Sequence, residues 1–231
     1  MKSLNILSGG AAQGLVADLA PTFEARTGFE IRGEFGAVGG MADKLRNGIA
    51  ADIIILTAAF VAKLAEEKLV VASSIADVGV VETALAVRSG DPKVAAKDAN
   101  ELRNTFVAAD AIFVPDIKAS TAGIHVANVL KRLGIADEVT GRLKIYPNGA
   151  TAMRELAASD AKRPIGCTQS TEIISTKGVK LSGVLPNGYE LATMYTAAVT
   201  ASAANAAIAQ ALIGLLVGAE ADDARRRAGF L

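Results

Sequence analysis

The sequence has no tryptophan, a single cysteine and few aromatic residues, and these shortages restrict how the chain can fold. Aromatic residues make up 4% of the chain and hydrophobic residues 51%, so we expect a core of alanine, valine, leucine and isoleucine. With Cys167 alone, an internal disulfide and a cysteine-based zinc site are excluded. This composition favours parallel strands covered by alanine-rich helices.

An excess of one charge and a long apolar run are also lacking. The 24 basic residues balance 24 acidic residues along the chain, so we expect no nucleic-acid partner. The longest apolar stretch, residues 206–219, is interrupted by Gln210 and is too short to span a bilayer. It predicts a buried helix and no membrane insertion.

The first residues run directly into a strand-like segment, without the apolar stretch and small-residue cleavage site of an export signal. We therefore expect a periplasmic protein if a signal peptide has been removed, and a cytoplasmic protein otherwise.

Short β-rich segments alternate with helical patterns, which predicts an α/β fold with mostly parallel sheets. The predicted strands are 4–7, 29–34, 52–56, 78–87, 111–114, 142–146, 164–168, 179–182 and 191–200. The predicted helices are 12–26, 39–48, 57–68, 98–107, 122–134, 150–158, 170–175 and 202–217. Two of these strands, 78–87 and 191–200, are long enough to cross between two lobes. The expected division is residues 1–80 plus 197–231 for lobe 1 and 81–196 for lobe 2.

Four segments place small or hydroxyl-bearing residues where a strand passes into a helix. Free backbone N–H groups at such junctions favour an anion, and in an open α/β sheet the junctions form the ligand crevice. Ordinary helix capping is the alternative interpretation for each segment taken singly. The predicted ligand-binding residues are Ser8, Gly9, Gly10, Ala11, Gln13, Ala37, Val38, Thr57, Ser120, Thr121, Thr168, Gln169 and Ser170.

Nucleotide motifs are absent from the glycine-containing segments. The glycines after Ser8 are not followed by the G-K-[ST] of a P-loop, and no G-x-G-x-x-G occurs where a dinucleotide would need it. We expect no cofactor and no metal site.

The order of these segments resembles the molybdate-binding proteins and related type II periplasmic solute-binding proteins of ABC transporters. The resemblance rests on residues 15–28 (LVADLAPTFEARTG), 35–52 (FGAVGGMADKLRNGIAAD), 120–134 (STAGIHVANVLKRLG) and 165–173 (IGCTQSTEI). It implies a two-lobed type II periplasmic-binding-protein fold with a ligand cleft between the lobes. It also implies a small anionic ligand and an ABC transporter permease as a candidate partner.

Three positions depart from the pattern of the molybdate-binding members. Those members present a serine in each of the first two junctions and a tyrosine in the fourth, where this chain has Ala11, Val38 and Gln169. Fewer hydroxyl donors disfavour a dianion of fixed geometry, because a buried charge without partners is costly. The expected ligand is therefore a small organic carboxylate rather than molybdate.

An enzyme on the same fold is the alternative hypothesis, by analogy with an aconitate isomerase that resembles these binding proteins. Isomerisation of a small unsaturated carboxylate needs a general base, for which His125 and Glu172 are the candidate catalytic residues. The ordinary interpretation of His125 is a packed helix residue, and that of Cys167 is a small core residue. A cytoplasmic ligand sensor is a third hypothesis.

Overall fold

The computed structural model describes residues 2–94 and 96–231, which divide into two compact units. The first unit is Met1–Val81 with Thr193–Leu231, and the second is Glu82–Ala192. The predicted divisions were 80/81 and 196/197. The first boundary lies inside a long strand, β4 (Ala76–Arg88), and the second lies at the start of β9 (Ala192–Val199).

The first unit contains a sheet in which two strand pairs are parallel and one is antiparallel. β1 (Lys2–Gly9) pairs in parallel with β2 (Phe29–Gly36) and β3 (Ile53–Thr57), and β3 pairs with β9 in the antiparallel direction. The helices of this unit are α1 (Gln13–Thr27), α2 (Val38–Arg46), α3 (Ala58–Glu66), α9 (Ala206–Val217) and α10 (Asp222–Ala228). Short 3-10 helices occupy Gly10–Ala12, Ala72–Ser74 and Ala219–Ala221.

The second unit has the same kind of mixed sheet. β5 (Ala111–Pro115) pairs in parallel with β6 (Leu143–Tyr146) and β7 (Pro164–Gln169). β4 pairs in the antiparallel direction with β7 and with β8 (Val179–Val184). The helices of this unit are α4 (Ala99–Ala108), α5 (Thr121–Arg132), α6 (Ala136–Val139), α7 (Gly149–Ala158) and α8 (Ser170–Ser175), with a 3-10 helix at Thr140–Arg142.

Alanine, valine, leucine and isoleucine make up most of both cores, as the composition predicts, and phenylalanines such as Phe23 and Phe106 are fully buried among them. In the second unit the strand residues alternate between two apolar layers, because successive side chains point to opposite faces of a sheet. Leu85 packs with α4 and α5 residues such as Phe106 and Val126. Its neighbour Ala84 packs with α7 and α8 residues such as Met153.

The predicted buried helix at residues 206–219 is α9, whose Leu212 and Leu216 are fully buried. In the described ranges, no helix combines the length and apolar character needed to cross a membrane.

Two helices of the structure were not predicted. The charged segment that forms α10 shows no apolar period, but its acidic residues lie in the first turn and its arginines in the last. That order suits the helix dipole, and the helix ends at Gly229, whose φ of 92° is left-handed. The four residues of α6 are too few to show a period.

The buried carboxylate of Asp52 joins three distant segments of the first unit. It accepts hydrogen bonds from the backbone N–H of Asn5 at 2.9 Å and of Asn205 at 2.8 Å. Both donors lose water on burial, so the carboxylate replaces solvent for them. Asp52 therefore holds the turn before α9 against β1 and the start of β3.

We expect Asp52→Ala to lower the free energy of unfolding by about 3 kcal/mol, because two backbone donors lose their charged acceptor. Asp18→Ala is the matched control, since the ion pair of Asp18 with Arg227 is exposed, and we expect a change within about 0.5 kcal/mol. Urea unfolding of both variants measures the difference. Equal effects would contradict the structural role assigned to Asp52.

Candidate functional site

The predicted binding residues of the first unit lie at one edge of its sheet. The parallel register pairs Gly9 of β1 with Gly36 of β2, and Ser8 with Ile55 of β3. Because β1, β2 and β3 run in the same direction, their carboxyl ends meet there and α1, α2 and α3 begin beside them. Register therefore brings together the segments that contain Ser8–Ala11, Ala37–Val38 and Thr57.

Two side chains cover the backbone of Gly9. A Cβ atom on Gly9 would lie 2.9 Å from Cγ1 of Val38 and 3.0 Å from Cε1 of Tyr195. Val38 and Tyr195 are both buried, and the Tyr195 ring meets the ring of Phe230 edge-on at 6.4 Å. The close approach at this junction requires a glycine, and the surrounding wall is apolar and aromatic.

Sequence reasoning missed Tyr195. The rule that ligands bind at the carboxyl ends of parallel strands does not select Tyr195, which lies in the first half of β9. Because β9 is antiparallel to β3, Tyr195 is opposite Thr57 in the ladder and reaches the same edge. The aromatic residue within the second long strand was the available signal.

The hydroxyl and amide residues predicted in the first unit differ in their surroundings. Ser8 is fully buried and its hydroxyl donates to the carbonyl oxygen of Gly9 at 2.9 Å. Gln13, the first residue of α1, is exposed. Thr57 is buried at the N-cap position of α3.

In the second unit, the junction before α5 is a well-capped helix start. Ser120 is the N-cap residue, and its hydroxyl oxygen accepts a hydrogen bond from the N–H of Gly123 at 3.4 Å. A Cβ atom on Gly123 would lie 2.2 Å from the carbonyl oxygen of Asp116, so the turn excludes larger residues. Thr121 follows as a half-buried residue. This geometry matches the capping interpretation of Ser120.

The carboxyl end of β7 carries a buried amide without a partner. Gln169 is only 3% exposed, and neither its side-chain oxygen nor its side-chain nitrogen has a hydrogen-bond partner among the described residues. The hydroxyls of Thr83 and Thr171 share this condition. A native fold seldom leaves buried polar atoms unpaired, so these groups mark a candidate site. Sequence reasoning selected Gln169 and missed both threonines.

Thr168, the neighbour of Gln169, forms a hydrogen bond within the unit. Its hydroxyl donates to Oε2 of Glu172 at 2.6 Å, so it serves the interior of the unit. Successive strand residues point to opposite faces, which separates the Thr168 side chain from that of Gln169. Ser170, the next predicted residue, is buried at the start of α8.

Glu172 is a buried residue of α8, and its carboxyl group lies beside Gly149 at the start of α7. Burial raises the pKa of its carboxyl, and four hydrogen bonds oppose that shift. The donors are the Thr168 hydroxyl and the backbone N–H groups of Gln169, Ala150 and Gly149. These donors hold the Glu172 side chain inside the unit, and its role as a catalytic residue stays a prediction.

His125 and Cys167, the other two residues considered for chemistry, are also held by their surroundings. Nε2 of His125 lies 2.7 Å from the carbonyl oxygen of Tyr189, which only accepts, so Nε2 holds a proton and donates it. Cys167 is fully buried, and burial raises the pKa of its thiol to about 12. Its sulfur is therefore not a nucleophile near neutral pH.

Gly149 tests the assignment of Glu172. A Cβ atom at Gly149 would lie 1.9 Å from Oε2 of Glu172 and 2.1 Å from Oγ1 of Thr168. We expect Gly149→Ala to lower the free energy of unfolding by about 2 kcal/mol or more, because the carboxylate must leave its donors. Gly141→Ala is the control, since nothing lies within 4 Å of its Cβ position. If urea unfolding shows no difference between the variants, the carboxylate does not depend on this geometry.

Comparisons with known proteins agree with the architecture of both units. The family described as bacterial extracellular solute-binding protein matches residues 4–231. An aconitate isomerase from a Pseudomonas species is 24% identical over 99% of this chain and 87% of its own length.

Two solved structures share the fold at low identity. The periplasmic molybdate-binding protein of Azotobacter vinelandii is 19% identical and superposes with a TM-score of 0.83, covering 99% of this chain and 98% of its own. A sulfate-binding protein of Mycobacterium tuberculosis is 18% identical with a TM-score of 0.76, covering 100% and 86%. These likenesses confirm the predicted type II periplasmic-binding-protein fold.

Proposed function

Because the chain belongs to the bacterial extracellular solute-binding proteins, we propose that it captures a small organic carboxylate outside the cytoplasm for an ABC transporter. The proposed binding residues are those at the strand ends of each unit. They include no lysine or arginine, so backbone N–H groups, hydroxyls and the Gln169 amide would stabilise the anion. A transporter permease is the partner that this function requires.

The single observation that carries the choice of ligand is the apolar cover over Gly9. Val38 stands where a molybdate-binding relative would present a hydroxyl, and its Cγ1 occupies the space beside that backbone. Ala11, at the other departing position of this edge, is buried as well. A ligand with a carbon skeleton can pack on these side chains, whereas an inorganic oxyanion would lose hydration there and find no hydroxyl donor at these two positions.

We expect molybdate and sulfate to bind with dissociation constants weaker than about 100 µM, and the preferred carboxylate to bind at least ten times more tightly. Isothermal titration calorimetry with both oxyanions and a panel of mono-, di- and tricarboxylates measures this. Sub-micromolar binding of molybdate would contradict the proposal, because it would mean that backbone N–H groups alone satisfy the dianion.

Gln13 allows a test in which the fold stays intact. It is exposed at the first turn of α1, so Gln13→Glu adds a negative charge beside the proposed anion and keeps the helix start favourable. We expect about tenfold weaker carboxylate binding at low ionic strength and an unchanged melting temperature. Gln210→Glu, on the exposed face of α9, is the control and should leave affinity unchanged. Equal affinities of the two variants would show that the start of α1 does not lie beside the bound anion.

The similarity to a protein named aconitate isomerase supports a second candidate function, the isomerisation of a small unsaturated carboxylate. The candidate bases are Glu172, whose carboxyl group accepts a hydrogen bond from Thr168, and His125. Its Nε2 is bound to Tyr189, so only Nδ1 would accept a proton. A proton shift of this kind exchanges carbon-bound hydrogen with solvent.

We expect no exchange of carbon-bound hydrogen in deuterium oxide for cis-aconitate, trans-aconitate or itaconate, as measured by NMR. We also expect His125→Gln to change carboxylate affinity by about tenfold or less, since it alters one hydrogen bond near the ligand at most. Exchange that the wild type shows and His125→Gln loses by about 10²-fold or more would establish the isomerase instead.

A further inference from the structure

Three buried polar side chains of the second unit carry hydrogen-bonding capacity that the described chain does not use. They are Thr83, Gln169 and Thr171, of which Thr83 and Thr171 are 1% and 2% exposed. The backbone around Thr83 is satisfied, since its N–H donates to Leu191 and its carbonyl accepts from Leu185. At Thr83, the unused hydrogen-bonding capacity is therefore confined to the side-chain hydroxyl.

The topology places two of these side chains together and the third nearby in the sequence. Thr83 of β4 is directly opposite Gln169 of β7 in the antiparallel ladder, so the two side chains share one face of the sheet. The adjacent pair, Ala84 and Thr168, belongs to the opposite face, where Thr168 serves Glu172. Thr171 follows two residues after Gln169, within α8.

The two ends of the Gln169 amide need different partners. Its nitrogen donates and its oxygen only accepts, whereas a threonine hydroxyl rotates to do either. A fully deprotonated oxyanion such as molybdate or sulfate offers acceptors alone. It would satisfy the amide nitrogen and both hydroxyls, but it would leave the amide oxygen buried without a donor.

We infer that the ligand is a hydroxycarboxylate, with a hydroxyl next to its carboxylate. The carboxylate accepts from the amide nitrogen of Gln169, and the hydroxyl donates to its amide oxygen. The hydroxyls of Thr83 and Thr171 complete the contacts of the same two groups. This inference rests on the proposed function, because it names the class of carboxylate that is bound.

Matched ligand pairs that differ only in the hydroxyl test the inference. The pairs are malate and succinate, lactate and propionate, and citrate and tricarballylate. Calorimetry on the full chain would measure the affinity for each member. For the best-bound pair we expect the hydroxylated member to bind about 10- to 100-fold more tightly, because a site built around a hydroxyl rejects the analogue that lacks it.

The variant Gln169→Met tests the contribution of the amide group alone. It keeps the volume and removes both polar ends, so we expect the preference for the hydroxylated ligand to fall to about twofold or less. Without ligand we expect a melting temperature at least as high as that of the wild type, because the unpaired amide is gone. Gln210→Met is the matched control on an exposed helix face and should keep the full preference.

Thr83→Val provides a second variant of almost unchanged shape, should Gln169→Met fold poorly. We expect it to weaken the hydroxylated ligand more than its partner. Equal binding of both members of every pair would overturn the inference and leave carboxylate binding in place, with a water molecule serving the amide. Binding of molybdate without binding of any carboxylate would overturn the proposed function itself.

Discussion

The parallel register of β1 with β2 and β3 is the constraint on which the candidate binding edge of the first unit depends. Three chain segments that are far apart in sequence end at the same edge because the ladder pairs Gly9 with Gly36 and Ser8 with Ile55. A slip of one residue would turn every buried side chain of a strand to the opposite face. The apolar core that fixes the register therefore also fixes which backbone N–H groups face a ligand.

In the second unit, a buried carboxyl group lies at the start of a helix. The start of α7 offers free N–H groups, which is a common binding position for an external anion. Glu172 fills that position from within the unit and takes donors from Gly149 and Ala150. Thr168 is drawn to the same face. The opposite face carries the neutral amide of Gln169, which has no hydrogen-bond partner among the described residues.

Much of this arrangement was predictable from local patterns, and the reasons for the failures are specific. Each of the nine predicted strands corresponds to a strand of the structure, because β-rich segments alternated clearly with helical ones. Thr168 and Gln169 were grouped as one binding segment although neighbouring strand residues point apart. Tyr195 and Thr83 were missed because they lie on antiparallel strands, where the rule about carboxyl ends of parallel strands gives no guidance.

The burial of Cys167 has a practical consequence for site-specific labelling. Thiol reagents react with the thiolate, and a thiol with a pKa of about 12 supplies almost none at neutral pH. Since Cys167 is the one cysteine of the chain, a cysteine introduced at an exposed position such as Ala119 would be the sole reactive site. A fluorophore attached there would label the chain at a single position without removal of the native thiol. Site-specific labelling therefore requires one substitution rather than two.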